Sequence, residues 1–324
     1  MRISLPYDGG ELEVDLPGRG TIAVAGDSYP EPLSDLERAL EESLARPVGS
    51  APLSRLIPDT GSVSVLVSDM TRGSSVGAVL RLLLSHLERN GAGPDRVGIF
   101  IATGMHREMG RSELKRHLGA DIFDRWDVRQ HDAANRDLLI EVGTTSFGTH
   151  CSFNERVVDS GLVIALGTIS FHYFAGFGGA RKLILPGVAG ERTILANHRL
   201  SLKKDEIDSL SEGCRPGNLE GNPVHSDMVE GAKLLPGSLF AVNVVPGANG
   251  TVSYLDAGDI EASHIEACAR YHESYAIPLE RTYGAVIVSA GGSPRDVNLL
   301  QAHKALRNAS YAVRQGGVML AALS

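Results

Sequence analysis

The chain has 324 residues, of which 43% are hydrophobic and 22% are charged, and its net charge is −8 at pH 7. This length suits two domains, and this composition is typical of a globular protein. The acidic balance, with a pI near 5.8, argues against non-specific nucleic-acid binding, which requires a basic face. The apolar runs are too short to form a membrane helix.

The cysteines and the first residues of the sequence bear on the cellular compartment. Cys151, Cys214 and Cys268 are widely spaced and form no metal-binding pair. The N-terminal residues lack the apolar segment of a signal peptide. We therefore expect a cytoplasmic protein with reduced thiols and with neither membrane nor nucleic-acid partners.

Taken in order, segments with strand-like and helix-like patterns alternate along the chain. The pattern predicts short strands in residues 1–26, strands and loops in 132–155, and a loop in 203–221. Longer apolar runs predict strands at 63–67, 97–102, 126–130, 162–166, 239–245, 251–255, 284–289 and 317–322. Helical spacing predicts helices at about 33–45, 75–90, 110–118, from 190 through His198, 223–235, 260–276 and 296–313.

This alternation is typical of a Rossmann-like α/β fold, with a mostly parallel sheet flanked by helices. A linker near Pro278 divides the chain into two predicted domains. Residues 1–277 are the N-terminal catalytic and cofactor-binding domain, and residues 278–324 are the start of a C-terminal α/β domain. We expect the active site in the cleft between them.

Polar groups follow several of the predicted strands. Asp69 and Arg72 follow one strand, His106 a second, His172 a third and Gly291-Gly292 a fourth. Ligands of open α/β sheets bind beyond the carboxyl ends of the strands. Because four separate segments bring polar groups to that edge, we expect a binding site there.

The stretch 167–187, which follows a predicted buried strand, contains several residues of types that take part in catalysis and ligand binding. It contains His172, Lys182 and a glycine cluster that includes Gly178 and Gly179. Glycines let the backbone approach a ligand closely, while a histidine transfers protons and a lysine supplies a cation or a nucleophilic amine. A plain glycine-rich turn with a surface lysine and a core histidine is the alternative, but the concentration of these residues favours a site.

The histidines that are candidates for the site differ in the kind of predicted element that carries them. His106 and His172 both lie near the end of a strand. If they face a substrate from opposite sides, they form the acid/base pair that racemisation or epimerisation requires. His198 lies on a predicted helix, where it is either a surface residue or a metal ligand assembled with distant partners.

Other polar residues also have two interpretations. Arg72 is either a carboxylate-binding residue or the local ion-pair partner of Asp69. Gln301 and Lys304 share a helix face, which is directed into a cleft or is simply exposed.

Several motifs occur in one order along nearly the whole chain: Asp69-Met70-Thr71-Arg72, Thr103-Gly104-Met105-His106-Arg107, His172 through Gly178-Gly179 to Lys182 and Pro186-Gly187, Asn197-His198, Ala257-Gly258-Asp259, and Gly292 through Asp296 and Gln301 to Lys304. Together they resemble the motifs of the lactate racemase family. Enzymes of that family use a nickel-pincer nucleotide, the nickel complex of pyridinium-3-thioamide-5-thiocarboxylic acid mononucleotide. The resemblance therefore implies a metal-binding isomerase that needs cofactor-maturation enzymes as partners.

The resemblance also implies a role for each matched residue. Lys182 would hold the cofactor as a thioamide, and His198 would be the protein ligand of nickel. His106 and His172 would be the acid/base pair. Cofactor and substrate would be bound by the remaining matched residues: Asp69, Thr71, Arg72, Gly178, Gly179, Gln301 and Lys304.

In the implied reaction a 2-hydroxy acid such as lactate loses its hydroxyl proton while its C2 hydride moves to the cofactor. The planar 2-oxo acid then takes the hydride back on its other face. A zinc-dependent hydrolase or lyase built on the three histidines is one alternative, and an inactive nucleotide-cofactor-binding module is another. Members of the family commonly extend further, so the C-terminal domain is expected to be reduced or cut short, and a homo-oligomer is a further expectation.

Overall fold

The computed structural model of the protein describes residues 2–16, 29–70, 76–203, 209–292, 296 and 299–323. Its strands, in chain order, are β1 (Arg2–Tyr7), β2 (Gly10–Asp15), β3 (Val63–Ser68), β4 (Val97–Ala102), β5 (Asp127–Gln130), β6 (Leu139–Thr144), β7 (His150–Asn154), β8 (Leu162–Thr168), β9 (Phe171–His172), β10 (Gly176–Phe177), β11 (Ser238–Pro246), β12 (Val252–Gly258), β13 (Tyr283–Ser289) and β14 (Val313–Ala322).

The helices, in the same order, are α1 (Leu36–Ala45), α2 (Leu53–Leu56), α3 (Val76–Arg89), α4 (Arg111–Leu118), α5 (Ala120–Arg125), α6 (Glu155–Val158), α7 (Arg181–Ile184), α8 (Glu191–Arg199), α9 (Pro223–Lys233), α10 (Ala262–Tyr275) and α11 (Leu299–Ser310). The longer predicted helices are confirmed to within a few residues. The short helices α2, α5, α6 and α7 were not predicted, because four to six residues are too few for a helical period to stand out.

The described residues form two compact units, one within Ser28–Tyr275 and the other within Met1–Asp27 and Ala276–Ser324. The predicted division put residues 1–277 together, whereas the β1–β2 hairpin here belongs with the C-terminal segment. The reason lies in its contacts: β1 packs against β13 and β14, and the hydroxyl of Ser289 donates to the carbonyl of Pro6.

The larger unit is built on a six-stranded sheet with the order β12-β11-β8-β3-β4-β5. Five of the strands are parallel, and the edge strand β12 runs antiparallel to β11. The expectation of a mostly parallel sheet flanked by helices is therefore confirmed. Every residue of β3 is buried, as expected for a central strand that is covered on both faces.

Helices cover both faces of this sheet and divide the core in two. On one face, alternate residues of β3 and β8, such as Val65 and Ile164, pack against the apolar sides of α1, α3 and α4. On the other face, residues such as Val163 and Ala165 pack against α6, α7, α8 and α9. The short helix α7 is held at this second face. No helix in the described ranges is both long and apolar enough to cross a membrane.

The smaller unit contains the antiparallel hairpin β1–β2 and the parallel pair β13–β14. Helix α11 connects β13 with β14 and packs against both strands. This βαβ arrangement agrees with the α/β pattern predicted for residues 278–324.

Candidate active site

The first pair of predicted residues meets at the carboxyl edge of the sheet. Asp69 directly follows β3, and His106 lies in the loop after the neighbouring strand β4. Nδ1 of His106 lies 2.6 Å from Oδ2 of Asp69. Asp69 is buried, whereas about half of the His106 side chain is exposed. The carboxylate accepts the Nδ1 proton, so in neutral His106 the nitrogen Nε2 is left with a lone pair that can accept a proton.

His172 lies at the end of β9, in a small hairpin where it pairs with Gly176 of β10. The backbone N–H of Ala175 donates to Nδ1 of His172 at 3.2 Å. The other ring nitrogen, Nε2, lies 3.2 Å from Nζ of Lys182. His172 is thus held at both ring nitrogens, by the Ala175 backbone and by Lys182.

Lys182 is buried on α7 with 6% of its surface exposed. The helix lies very close to β8: a Cβ added at Gly167 would be 2.4 Å from the backbone nitrogen of Ala180. The N–H of Ala180 also donates to Oδ1 of Asn243 on β11. The start of α7, and with it Lys182, is therefore fixed against two strands of the sheet.

The two glycines of the predicted cofactor loop have packing reasons of their own. The N–H of Gly178 donates to the carbonyl of Ser170 at 2.7 Å. Gly179 has φ +110°, and a Cβ there would meet Ile169 and His264 at less than 3 Å. Gly179 therefore requires glycine for the loop to close, whereas at Gly178 a Cβ would be tight, 3.0 Å from Oγ of Ser170 and 3.2 Å from the carbonyl oxygen of Thr168. A role of either glycine in binding the cofactor remains a proposal.

His198 lies on α8, as predicted, and joins His172 and Lys182 around the ring of Phe174. The Phe174 ring centroid is 4.6 Å from that of His172, 5.0 Å from that of His198 and 5.7 Å from Nζ of Lys182. Three of the predicted site residues thus come together.

His198 is a neutral imidazole in this setting. Burial lowers its pKa to about 4, and the nearby Lys182 ammonium acts in the same direction. Its Nδ1 is buried and has no hydrogen-bond partner within the described part of the chain. An unprotonated imidazole is the form that binds a metal ion.

The His106 loop is joined to the Lys182 segment through the backbone. The N–H of Gly104 donates to the carbonyl of Gly187, and the N–H of Gly187 donates to the carbonyl of Lys182, both at 2.9 Å. The predicted site residues of the larger unit therefore belong to one connected segment of structure.

Other predicted residues fall outside the described part of the larger unit. Thr71 and Arg72 lie outside the described residues, and the side chain of Gln301 does as well. Lys304 is an exposed residue of α11 in the smaller unit. Among the residues described, no three His, Cys, Asp or Glu side chains come together to hold a metal ion. A zinc centre made of His106, His172 and His198 is therefore not formed by the described chain.

Two structural residues of the site were missed. Asn243 could have been recognised from the sequence, because it is an amide within the apolar run of β11. In the structure it is fully buried. Arg181 is fully buried and gave no signal, because an arginine beside a lysine normally indicates a solvated surface.

Comparison with known proteins shows the family of the chain. The family model described as the lactate racemase N-terminal domain matches residues 7–209. The lactate racemases of Thermoanaerobacterium thermosaccharolyticum and Lactiplantibacillus plantarum are each 32% identical to the chain over 323 residues. Each match covers 99% of this chain and 74% of the relative. The chain belongs to the lactate racemase family.

Solved structures support the same assignment. The lactate racemase apoprotein from T. thermosaccharolyticum superposes with a TM-score of 0.87 at 31% identity, covering 99% of this chain and 74% of the other. A Thermotoga maritima protein, with a TM-score of 0.61 and 19% identity, covers 81% of this chain and 64% of its own and shares the fold alone. Because racemases are isomerases, the protein is an enzyme of the isomerase class.

Proposed function

We propose that the protein is a racemase or epimerase of a 2-hydroxy acid such as lactate, with His106 and His172 as its acid/base pair. The observation that supports this most directly is the contact that each histidine makes. His106 donates Nδ1–H to the buried carboxylate of Asp69, which leaves a lone pair on Nε2, and Nε2 of His172 lies 3.2 Å from Nζ of Lys182, the proposed attachment point of the cofactor. Imidazoles in these positions are suited to exchange the hydroxyl proton of a substrate bound beside the cofactor.

The buried cluster around Phe174 fits the nickel-pincer nucleotide. Lys182 offers a buried amine for covalent attachment, and His198 offers a neutral imidazole whose buried Nδ1 lacks a partner within the described ranges. Imidazole is a suitable nickel ligand. When bound, this cofactor would supply the position that accepts the C2 hydride of the substrate and returns it.

The chain's own residues would bind the substrate and move its hydroxyl proton. One histidine takes this proton while the hydride leaves C2, and the other serves the opposite enantiomer. Asp69 stabilises the imidazolium that forms when His106 is protonated. Arg72 would bind the substrate carboxylate bidentately, while Thr71, Gly178, Gly179, Gln301 and Lys304 would complete the binding of cofactor and substrate.

The deciding experiment measures intact mass, nickel content and lactate racemisation of protein matured with the cofactor-synthesis enzymes. We expect a mass increase on Lys182, about one nickel per chain, and conversion of either lactate enantiomer to the racemate. Lys182→Ala removes the mass increase, whereas Lys233→Ala, at an exposed lysine paired with Glu261, keeps it. Zinc without nickel and without an adduct would favour the hydrolase or lyase, and loading without turnover of any 2-hydroxy acid would favour the inactive module.

Histidine variants separate the proposed roles. His106→Gln and His172→Gln are expected to stop turnover while the adduct and the nickel remain. His198→Gln is expected to lose nickel while keeping the adduct. His150→Gln is the matched control, because His150 is an exposed residue of β7. Nickel loss from the His106 or His172 variant would make that residue a ligand and would contradict the proposal.

The cellular setting is part of the same proposal. The three cysteines are unpaired and buried, which fits a reducing compartment such as the cytoplasm. The enzymes that build and load the cofactor would be the protein's partners. A small-molecule 2-hydroxy acid would be its substrate, and the oligomeric state is to be measured on the loaded protein.

A further inference from the structure

Asp227 is an acidic residue of α9 with no exposed surface. Its Oδ1 accepts from the hydroxyl of Thr145 at 2.5 Å, and its Oδ2 accepts from the hydroxyl of Thr149 at 3.0 Å and from Nδ2 of Asn197 at 2.8 Å. These donors are all neutral, and no cation pairs with Asp227 in the part of the chain that the structure describes. Because a buried charge without a counter-ion costs free energy, this arrangement calls for an explanation.

The three donors come from two different elements. Thr145 and Thr149 belong to the turn between β6 and β7, whereas Asn197 lies in the last part of α8 and is fully buried. Nδ2 of Asn197 also donates to the carbonyl of Val224 at 3.2 Å. Both of its acceptors are oxygens that only accept, so a single orientation of the amide makes both bonds. Asp227 therefore joins α9 to α8 as well as to the turn.

This contact lies next to the proposed nickel ligand. His198 follows Asn197, and successive residues of a helix point about 100° apart. The Asn197 side chain faces α9, while the ring centroid of His198 lies 5.0 Å from that of Phe174 in the site. An earlier turn of α8 is held elsewhere, because Oγ1 of Thr193 donates to the backbone of β7 at 2.8 Å. The contact with Asp227 holds the last turn, whose rotation about the helix axis determines where His198 points.

We propose that Asp227 is a positioning residue, which through Asn197 fixes the last turn of α8 so that the His198 imidazole is presented to nickel. This inference rests on the proposed function, in which His198 is the protein ligand of nickel. Hydrogen-bonded groups that orient a ligating histidine are a recurring part of metal sites. Here the bond is made to the neighbouring residue. Without Asp227, Asn197 keeps only its bond to Val224, and the last turn of α8 can rotate away from α9.

The test variant is Asp227→Ala, which removes the acceptor of both Asn197 and the β6–β7 turn. Glu230→Ala is the matched control, since Glu230 lies nearly one turn later on α9 and accepts from the N–H and the hydroxyl of Ser146 in the same turn. Both variants cut contacts between α9 and the turn. Among the described hydrogen bonds, only those lost in Asp227→Ala also include a contact with α8.

Nickel retention is the first readout. Protein matured with the cofactor-synthesis enzymes is titrated with a chelator, and its nickel content and intact mass are measured. We expect Asp227→Ala to bind nickel about 10- to 100-fold more weakly, the range for groups that orient a ligating histidine, while the adduct on Lys182 remains. Glu230→Ala should retain nickel as wild type does. Asp227→Asn should retain it too, because its amide oxygen can accept from Asn197 while its NH₂ donates to the hydroxyl of Thr145.

Hydrogen exchange of the cofactor-free protein is the second readout. In Asp227→Ala, peptides that cover the last turn of α8 should exchange faster than in wild type or in Glu230→Ala. The β6–β7 turn should exchange faster in both alanine variants, so the comparison separates the α8 contact from a general loss of stability. If Asp227→Ala does not fold, Asn197→Leu replaces it, because it removes the donor of the same bond, and the same results are expected.

Two results would overturn the inference. One is a folded Asp227→Ala or Asn197→Leu protein that retains nickel as strongly as Glu230→Ala. The other is an exchange rate of the last turn of α8 that is the same in the test variant and in the control. The proposed function fails on a different observation, namely nickel that is retained by His198→Gln, and that failure leaves the exchange result for α8 intact.

Discussion

Gly167→Ala tests how closely α7 must approach β8. Gly167 lies in the last part of β8, where a Cβ would be 2.4 Å from the nitrogen of Ala180, 2.5 Å from the carbonyl carbon of Gly179 and 2.7 Å from Cα of Ala180. All three atoms belong to the backbone at the start of α7, so no side-chain rotation can relieve the clash. Ordinary contact begins at about 3.4 Å, so the start of α7 has to move by about 1 Å.

This displacement has two measurable costs. Overpacking of this kind destabilises a protein by about 1–3 kcal/mol, and each kcal/mol lowers the unfolding midpoint of a unit of this size by roughly 2–4 °C. Lys182 follows Ala180 by two residues and moves with it. Because a misplacement of about 1 Å in a catalytic arrangement can cost about 100-fold in rate, we expect turnover to fall more severely than stability.

The assay combines thermal unfolding, intact mass and lactate racemisation of the matured variant. Gly77→Ala is the matched control, because Gly77 lies on α3 and its nearest contact would be an ordinary 3.4 Å to the carbonyl of His117. That control should be as stable as wild type or more so, since alanine favours a helix. A Gly167→Ala protein with an unchanged midpoint and unchanged turnover would refute the idea that this close approach positions Lys182.

Three further predictions follow from the described contacts. Asp69→Asn removes the charge beside His106, so racemisation should slow about 10- to 100-fold with little change in the unfolding midpoint. An unchanged rate would show that the charge of Asp69 does not contribute to the function of His106. Burial raises the pKa of the thiols of Cys151, Cys214 and Cys268, and for Cys151 and Cys268 it raises the pKa to about 12. A thiol reagent at pH 8 should therefore react only after unfolding in urea, and a fast-reacting cysteine in the folded protein would contradict this. Because burial lowers the pKa of His131 and His225, the unfolded state binds more protons below about pH 6.5, and the free energy of unfolding should fall by up to about 1.4 kcal/mol per histidine per pH unit. Urea unfolding from pH 7 to pH 4 measures this fall, and His131→Gln should flatten it; an identical slope in that variant would exclude His131 as a contributor.

The fold was predictable from the sequence where one strong local pattern decides it. The apolar run at Leu162–Leu166 becomes the buried strand β8, because a central parallel strand is covered on both faces. The spacing through His198 likewise produces α8. The placement of the N-terminal hairpin was not predictable, because it depends on the contacts that β1 makes with β13, which leave no periodic signal.

The sequence was sufficient to predict which strand ends carry the site residues, but not which of those residues contact each other. Asp69 had two interpretations from sequence, a cofactor-binding residue or the partner of Arg72. Neither includes the contact with His106 that the described residues show. That contact requires β3 and β4 to be neighbours, which sequence alone does not determine. Arg181 illustrates the opposite limit, because its burial depends on three backbone carbonyls that come together only when the loop after His172 has folded.

The connection between His106 and Lys182 consists of backbone, and this has a consequence for substrate choice. Gly104 donates to Gly187, and Gly187 donates to Lys182; a Cβ at Gly187 would lie 2.2 Å from the carbonyl of Leu183, and Gly104 has φ +55°. Neither glycine tolerates a side chain without strain, so the distance between the proposed base and the proposed attachment point does not depend on side-chain identity. Exposed residues around the site can therefore change while this distance is kept, and differences in the 2-hydroxy acid that is accepted should originate in those exposed residues.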